Sequence, residues 1–402
     1  MGEILDVVVV GAGPGGIAAA LTAHRLGCSV VCVDKARFPR DKTCGDGLTT
    51  GALRALEALG MTRAELDATG LAEVSETVLV SPAGRRVTLP LPSDRGMYAA
   101  VVARRDLDAA LVALATRHGV DVREHCAVEK VAHQAHEVEL LLADGDTLRA
   151  RHVIAADGHW STVRRALEPD APRDLGEWHA VRQYFAGVDD DRLWVLFERD
   201  LLPGYAWVFP LPGGGANVGY GVLRAHGRRG RDLKALWPEL LARPVLRDVL
   251  GPNARATAPV RAWPIPTRYD PARLANGRVL FAGDAAGVVD PMTGEGIAQA
   301  IESGARAADA VATGEVPDAV SARYRRSVTR SLGRDLQLAS ALQTLLRSPR
   351  GARIAIAAAG LTPWTRRNFA RWMFEDYPRA LLLTPDRWRR GAFSTPGAYA
   401  VT

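Results

Sequence analysis

Short unbroken apolar runs recur along this chain between stretches of helical period. Val7 to Val10 is β-branched, too short for a helix and followed at once by glycines, so it predicts a buried parallel strand that ends in a sharp turn. A small-residue helix over about 14–26 stops at Gly27, and Ser29 to Val33 makes a second buried strand ending in Asp34. Two later apolar runs end in the same way, one at Asp157 and one at Gly283-Asp284. Amphipathic helices are expected over 50–59 and 106–118, closed by Gly60 and Gly119. Residues 73–90 alternate as two strands around Pro82-Ala83-Gly84, and strands are expected at 120–124, 128–131 and 137–142. Between 178 and 223 the helical period vanishes, and alternation at 181–188, 192–198, 205–211 and 216–223 predicts an antiparallel sheet. Helical pattern returns over 224–255, 297–311 and 331–402.

The glycines after the first strand fit G-x-G-x-x-G at Gly11, Gly13 and Gly16. In such a turn the first makes the bend, the second lets a pyrophosphate approach bare backbone, and the third lets the following helix pack on the strand. The helix N-terminus offers unpaired N–H groups to the phosphates, and Asp34 stands where an acid binds a ribose hydroxyl. The motif alone is weak, but flanking strand, helix, second strand and acid make it specific to dinucleotide binding.

Composition narrows the class. Of 402 residues, 48% are apolar and 24% charged, which is globular, and length allows two or three domains. Among 51 basic residues only Lys35, Lys42, Lys130 and Lys234 are lysine; with a net charge of +6 and no run of like charges, nucleic acid is not an expected partner. Cys28, Cys32, Cys44 and Cys126 show neither zinc spacing nor a disulfide framework, so no metal is expected and a reducing cytoplasm is the reading. The first strand begins too near Met1 for a signal peptide, and no apolar run reaches the ~20 residues of a membrane span. Contact with the inner face of a membrane stays open through 365–377, where Phe369, Trp372, Met373 and Phe374 lie close to Arg366, Arg367 and Arg371. A helix packing those aromatics on the protein body explains the same residues.

Further motifs carry a family resemblance. Cys44-Gly45-Asp46-Gly47-Leu48-Thr49, then Tyr205-x-Trp207-x-Phe209-Pro210 with Asn217-Val218-Gly219, resemble the geranylgeranyl reductase family of flavoproteins, which includes bacterial menaquinone reductases. Ala156-Asp157-Gly158 with Ser161 and Arg164, and Gly283-Asp284 followed by Asp290-Pro291 and Gly294-Glu295-Gly296, resemble the second and third fingerprints of flavoproteins with the para-hydroxybenzoate hydroxylase fold. The resemblance covers most of the chain up to the C-terminal segment. Asp290 departs from it, since many members have asparagine before the proline.

It implies an α/β protein with a Rossmann-like FAD-binding domain (1–72, 97–177 and 265–330), an inserted antiparallel sheet domain for substrate (73–96 and 178–264) and a C-terminal helical segment (331–402). FAD is the implied cofactor. Cys44, Gly45 and Gly47 would border its ring, with Arg104 as a further contact, Asp157 near the pyrophosphate, Asp284 on the ribityl chain and the helix after Gly296 at the electron-rich end of the ring. Period-two spacing puts Tyr205, Trp207 and Phe209 on one face, an aromatic wall suited to a long apolar substrate.

The implied activity is reduction of C=C bonds in an isoprenoid chain, with Tyr205 and Trp207 holding the chain and Cys44, or a water near it, supplying the proton. No second G-x-G-x-x-G follows a strand and no Cys-x-x-x-x-Cys pair is present, so the electrons are expected from docked NAD(P)H, a ferredoxin or a partner reductase. A natural-product monooxygenase, less readily a halogenase, and a non-catalytic flavin-binding partner at a membrane are the alternatives.

Overall fold

The computed structural model describes residues 4–93, 95–170, 175–224, 230–388 and 395–400. Leu5–Val10 runs through the middle of the first sheet, parallel to Val30–Val33 on one side and to Thr147–Ala155 on the other. Val7, Val8 and Val9 are fully buried, as expected of a strand covered on both faces. Asp121–Arg123 and Val279–Phe281 extend the sheet in the same sense. The long strand Thr147–Ala155 also carries an antiparallel meander of Val128–His133 and Val138–Leu142 on its outer part.

Two helices begin near the carboxyl ends of these strands. Pro14–Arg25 follows the glycine turn, and Ile297–Val311 crosses it so closely that a Cβ on Gly304 would lie 2.0 Å from Gly15 O. Small residues at the crossing bring both helix N-termini to one crevice.

The second sheet is ordered Arg255–Ala256, Trp178–Ala186, Gly215–Leu223, Tyr205–Leu211, Leu193–Leu196, Glu76–Val80, Arg86–Pro90, with Arg261–Ile265 also paired to Trp178–Ala186. All its pairs are antiparallel but one: Leu193–Leu196 runs parallel to Glu76–Val80, which corrects the purely antiparallel sheet expected. The hairpin of residues 76–90 comes from a distant part of the chain and joins this sheet at its edge, so no tight turn constrains its direction.

Strand alternation splits the sheet's faces. Ala206, Val208, Val218 and Tyr220 face the helices Gly230–Leu241 and Pro244–Leu250, where residues 225–229 of the expected helical stretch fall outside the described set. Trp207, Phe209, Leu79 and Val195 face the other way. That second face is covered partly by Ile356, Ala359, Ala370 and Phe374 of the C-terminal helices Pro349–Ala359 and Pro363–Met373. The aromatics of 365–377, read in the sequence as meeting either a membrane surface or the protein body, turn inward: Phe369 and Met373 pack against this cluster, and Trp372 Nε1 donates to Arg379 O at 3.1 Å. Helix Arg104–Arg117 begins two residues earlier than the pattern indicates.

Candidate active site

A cavity of about 590 Å³ lies between the carboxyl ends of the first sheet and the aromatic face of the second. Every residue given a site role in the sequence lines it except Gly16. The three glycines of the first turn separate by what surrounds them. A Cβ on Gly11 would sit 2.5 Å from Ala156 O, and one on Gly16 would sit 1.7 Å from Gly11 O, so both are demanded by packing. Gly13 meets nothing closer than Arg40 Nη2 at 3.7 Å, and its bare backbone faces the cavity.

Charge around that turn is arranged for a diphosphate. Buried Asp108 accepts from Arg104 Nε and Nη2 at 2.8 and 2.9 Å and also pairs with Arg40 Nη1 at 3.0 Å. One carboxylate between two guanidiniums leaves the cluster net positive. Burial acts to lower the Arg104 pKa, but Asp108 outweighs it and the group stays charged. Asp34 fixes the turn itself, accepting from Ala12 N at 2.7 Å and Ala36 N at 2.8 Å. Asp157 Oδ2 accepts from Thr162 N at 2.7 Å, while its buried Oδ1 has no hydrogen-bond partner. Lys42 stands 4.0 Å from the Trp263 ring centroid and 3.7 Å from Asp284 Oδ2.

At the other end of the cavity the Cys-Gly-Asp-Gly loop and the aromatic strand form one unit. Asn217 Oδ1 accepts from Trp207 Nε1 at 3.0 Å, and its Nδ2 donates to Cys44 O at 2.8 Å and Asp46 Oδ2 at 2.7 Å. Asp46, with φ of 67°, also accepts from Tyr184 Oη at 2.7 Å. Burial raises its pKa to about 6 against these hydrogen bonds. Gly219 gives Trp207 room, since a Cβ there would come 2.4 Å from the indole. The rings of Tyr205, Trp207 and Phe209 follow one another at 6.1 and 6.0 Å. Phe209 lies against Gly45 and Gly47, where an added Cβ would come within 3.4 and 3.3 Å of it.

Two acids face this wall. Cys44 Sγ accepts from Asp46 N at 3.3 Å, and burial pushes its thiol up to about 11, with Arg104 opposing, so it is a neutral thiol at pH 7. Glu295 also lines the cavity; burial, then the Glu375 carboxylate, raise it to about 8. A Cβ on Gly47 would be 3.6 Å from Glu295 Oε1, which places the carboxyl beside the glycine loop.

The C-terminal segment anchors the loop that carries Glu295. Buried Arg379 pairs with Asp290 at 2.9 Å and lies 3.6 Å from Glu375. Asp290 Oδ1 in turn accepts from Met292 N and Thr293 N at 2.9 and 2.8 Å. Glu375 accepts from Thr49 Oγ1 at 2.8 Å and Gln299 Nε2 at 2.7 Å. The Tyr205 hydroxyl donates to Thr293 O. Aspartate at position 290 thus has a counter-ion that an asparagine would not need. Arg40, Asp108, Glu295 and Arg379 were not singled out in the sequence. Arg40 and Arg379 belong to no motif, and Glu295 reads there only as a residue between two glycines.

These residues fit FAD. Bare backbone at Gly13, two helix N-termini and the Arg40–Arg104 pair suit a pyrophosphate, and the unpartnered Asp157 oxygen suits a hydroxyl donor. The class so defined is an FAD-binding oxidoreductase of the para-hydroxybenzoate hydroxylase fold. Comparison with known proteins agrees. A family model described as FAD binding domain matches residues 4–327. The chain is 35% identical over 359 residues to a menaquinone reductase of Mycolicibacterium smegmatis, covering 86% of this chain and 85% of that one. It is 31% identical over 331 residues to digeranylgeranylglycerophospholipid reductase 1 of Methanopyrus kandleri, covering 79% and 83%. A geranylgeranyl bacteriochlorophyll reductase-like protein of Thermoplasma acidophilum shares the fold at a TM-score of 0.79 and 23% identity, covering 96% and 99%. The chain belongs to the FAD binding domain family and, within it, to the geranylgeranyl reductase group of flavoproteins.

Proposed function

We propose that this protein reduces C=C bonds of an isoprenoid chain, on a menaquinone-like quinone or a geranylgeranyl lipid. The observation that carries the reading is the aromatic wall of Tyr205, Trp207 and Phe209, facing a glycine loop with the Glu295 carboxyl beside it. The domain limits expected from sequence, 1–72 with 97–177 and 265–330, 73–96 with 178–264, and 331–402, are kept as part of the proposal. When bound in its reduced form, FAD supplies the hydride.

An isolated alkene accepts hydride poorly, so this chain's residues must position it and deliver a proton to the second carbon. Tyr205 and Trp207 hold the apolar chain, and Phe209 closes the wall against the glycine loop. Glu295 gives the proton from its carboxyl. It is a stronger acid than the Cys44 thiol and is still largely protonated at pH 7. Cys44, the donor expected from sequence, then serves as a neutral surface of the pocket. Arg40 and Arg104 hold the diphosphate, Asp34 and Asp284 the sugar hydroxyls. The electrons come from NAD(P)H, a ferredoxin or a reductase partner. No helix among the described residues is long and apolar enough to cross a membrane. A bilayer-borne substrate would be met at a membrane surface.

The test is anaerobic reduction of the yellow protein followed by rapid mixing with a menaquinone, with a geranylgeranyl lipid, or with air. Fast lipid-dependent reoxidation that yields a saturated product is the expected result. Rapid reaction with air that places an oxygen atom in a product would replace the reductase with a monooxygenase.

A further inference from the structure

The C-terminal helices have an outer face that the site does not use. From Leu336 to Phe374 the sequence contains no aspartate or glutamate, yet it contains Arg347, Arg350, Arg353, Arg366, Arg367 and Arg371. All of these except Arg371 are exposed and form no ion pair with a described residue. Other arginines of this protein do have acid partners, among them Arg54 with Asp376, Arg149 with Glu137, Arg243 with Asp200 and Arg387 with Asp335. A positive surface without acids calls for an anionic partner supplied from outside.

The same face is apolar at its crest. Helix Pro349–Ala359 buries Ile356 and Ala359 in the apolar cluster on the sheet. Helical period then sends Arg350, Arg353, Ile354, Ala358 and Leu361 outward as one stripe. Ile354 is 68% exposed and Leu361 71%. The turn at Leu361 leads into Pro363–Met373, where Trp364, 72% exposed, stands one turn from exposed Arg367. A tryptophan and aliphatic side chains beside unpaired arginines match the interface of a bilayer, where the indole sits at headgroup depth and guanidiniums meet lipid phosphates. The inner side of these helices packs in the apolar cluster that contains Trp207 and Phe209, so the outer face lies across the helices from the substrate wall.

We propose that the outer face of helices Pro349–Ala359 and Pro363–Met373 docks on an anionic lipid bilayer, with Ile354, Leu361 and Trp364 entering the interface and Arg350, Arg353 and Arg367 on lipid phosphates. This deepens the reading of a bilayer-borne substrate and rests on it for its purpose, but it is measurable without turnover. The inward aromatics Phe369 and Trp372 take no part; the contact is carried by the preceding helix and turn.

The experiment uses the full-length FAD-loaded protein with sedimented vesicles of phosphatidylglycerol and phosphatidylcholine against vesicles of phosphatidylcholine alone. Binding to the anionic vesicles that weakens with added salt is expected. Arg350→Gln with Arg353→Gln should weaken it by roughly tenfold or more, and Leu361→Glu with Trp364→Ala should abolish it. Both variants should keep the FAD content and the reoxidation rate with a detergent-dispersed lipid. Equal binding to both vesicle types, unaltered binding by either FAD-replete variant, or burial of Trp364 in a homodimer that forms without lipid would overturn the proposal. If the reductase reading fails instead, vesicle binding persists without product; if docking alone fails, detergent-dispersed substrate is still reduced.

Discussion

Glu295 puts a pH limit on the proton step. Its pKa is raised, so the carboxyl is loaded below about 8 and empties above it. Lipid-dependent reoxidation measured by stopped flow should therefore be flat at lower pH and fall through pH 8, and Glu295→Gln should slow it by roughly a hundredfold and remove that fall. A fall centred near 11 would return the role to Cys44. Arg379 makes a second case at this scale, because it neutralises Asp290 in a place where water does not reach either group. Arg379→Ala should cost about 3–5 kcal/mol in thermal or denaturant unfolding, the usual cost of stranding a buried charge. Asp290→Asn should cost less, since Asn keeps an acceptor for Met292 N and Thr293 N. The motif glycines and Asp34 were legible in the sequence because they sit at a recognisable spacing around a strand, a turn and a helix, even though Gly11 is held against Ala156 and Asp34 bonds Ala12. Arg40, Arg379 and the acid role of Glu295 were not, because each depends on a partner far along the chain: Asp108, Asp290, Glu375.

At the scale of elements, the Tyr-x-Trp-x-Phe-Pro and Asn-Val-Gly strands show why two motifs occur as a pair. They are antiparallel neighbours in register, with Trp207 opposite Gly219 and Phe209 opposite Asn217. Gly219→Ala would press a methyl group into both the indole and Val181 O, each 2.4 Å away. The expected cost is about 1–3 kcal/mol of stability, read by thermal melting, with reduced FAD retention as the Trp207–Asn217–Asp46 network shifts. The strands themselves were readable from alternation. The parallel pairing of Glu76–Val80 with Leu193–Leu196 was not, since local pattern carries no information about which distant edge a hairpin will join. The stretch 365–377 was read as helical, and Phe369 and Met373 on helix Pro363–Met373 pack toward the second sheet because that sheet's apolar side needs a cover.

Across the whole molecule, the segment that matched no motif closes the structure. Its residues reach Arg54 and Thr49 in the first domain through Asp376 and Glu375, and Asp290 through Arg379. A chain ended after Val328 would uncover part of the sheet face that bears Trp207 and Phe209 and leave Asp290 without its counter-ion. It should purify with little or no FAD, as read from the ratio of flavin to protein absorbance. The order of the three fingerprints disclosed the fold, because each is a strand end with its own turn. The fastening of the last segment onto them was hidden, because it is made of single long side chains. That fastening also makes two distant events thermodynamically conjugate. The strap that steadies the 290–296 loop is continuous with the helix that bears Trp364. Whatever coupling the strap carries between flavin binding and the proposed bilayer contact is equal in both directions, so loss of either ligand would loosen the hold of the other by the same factor.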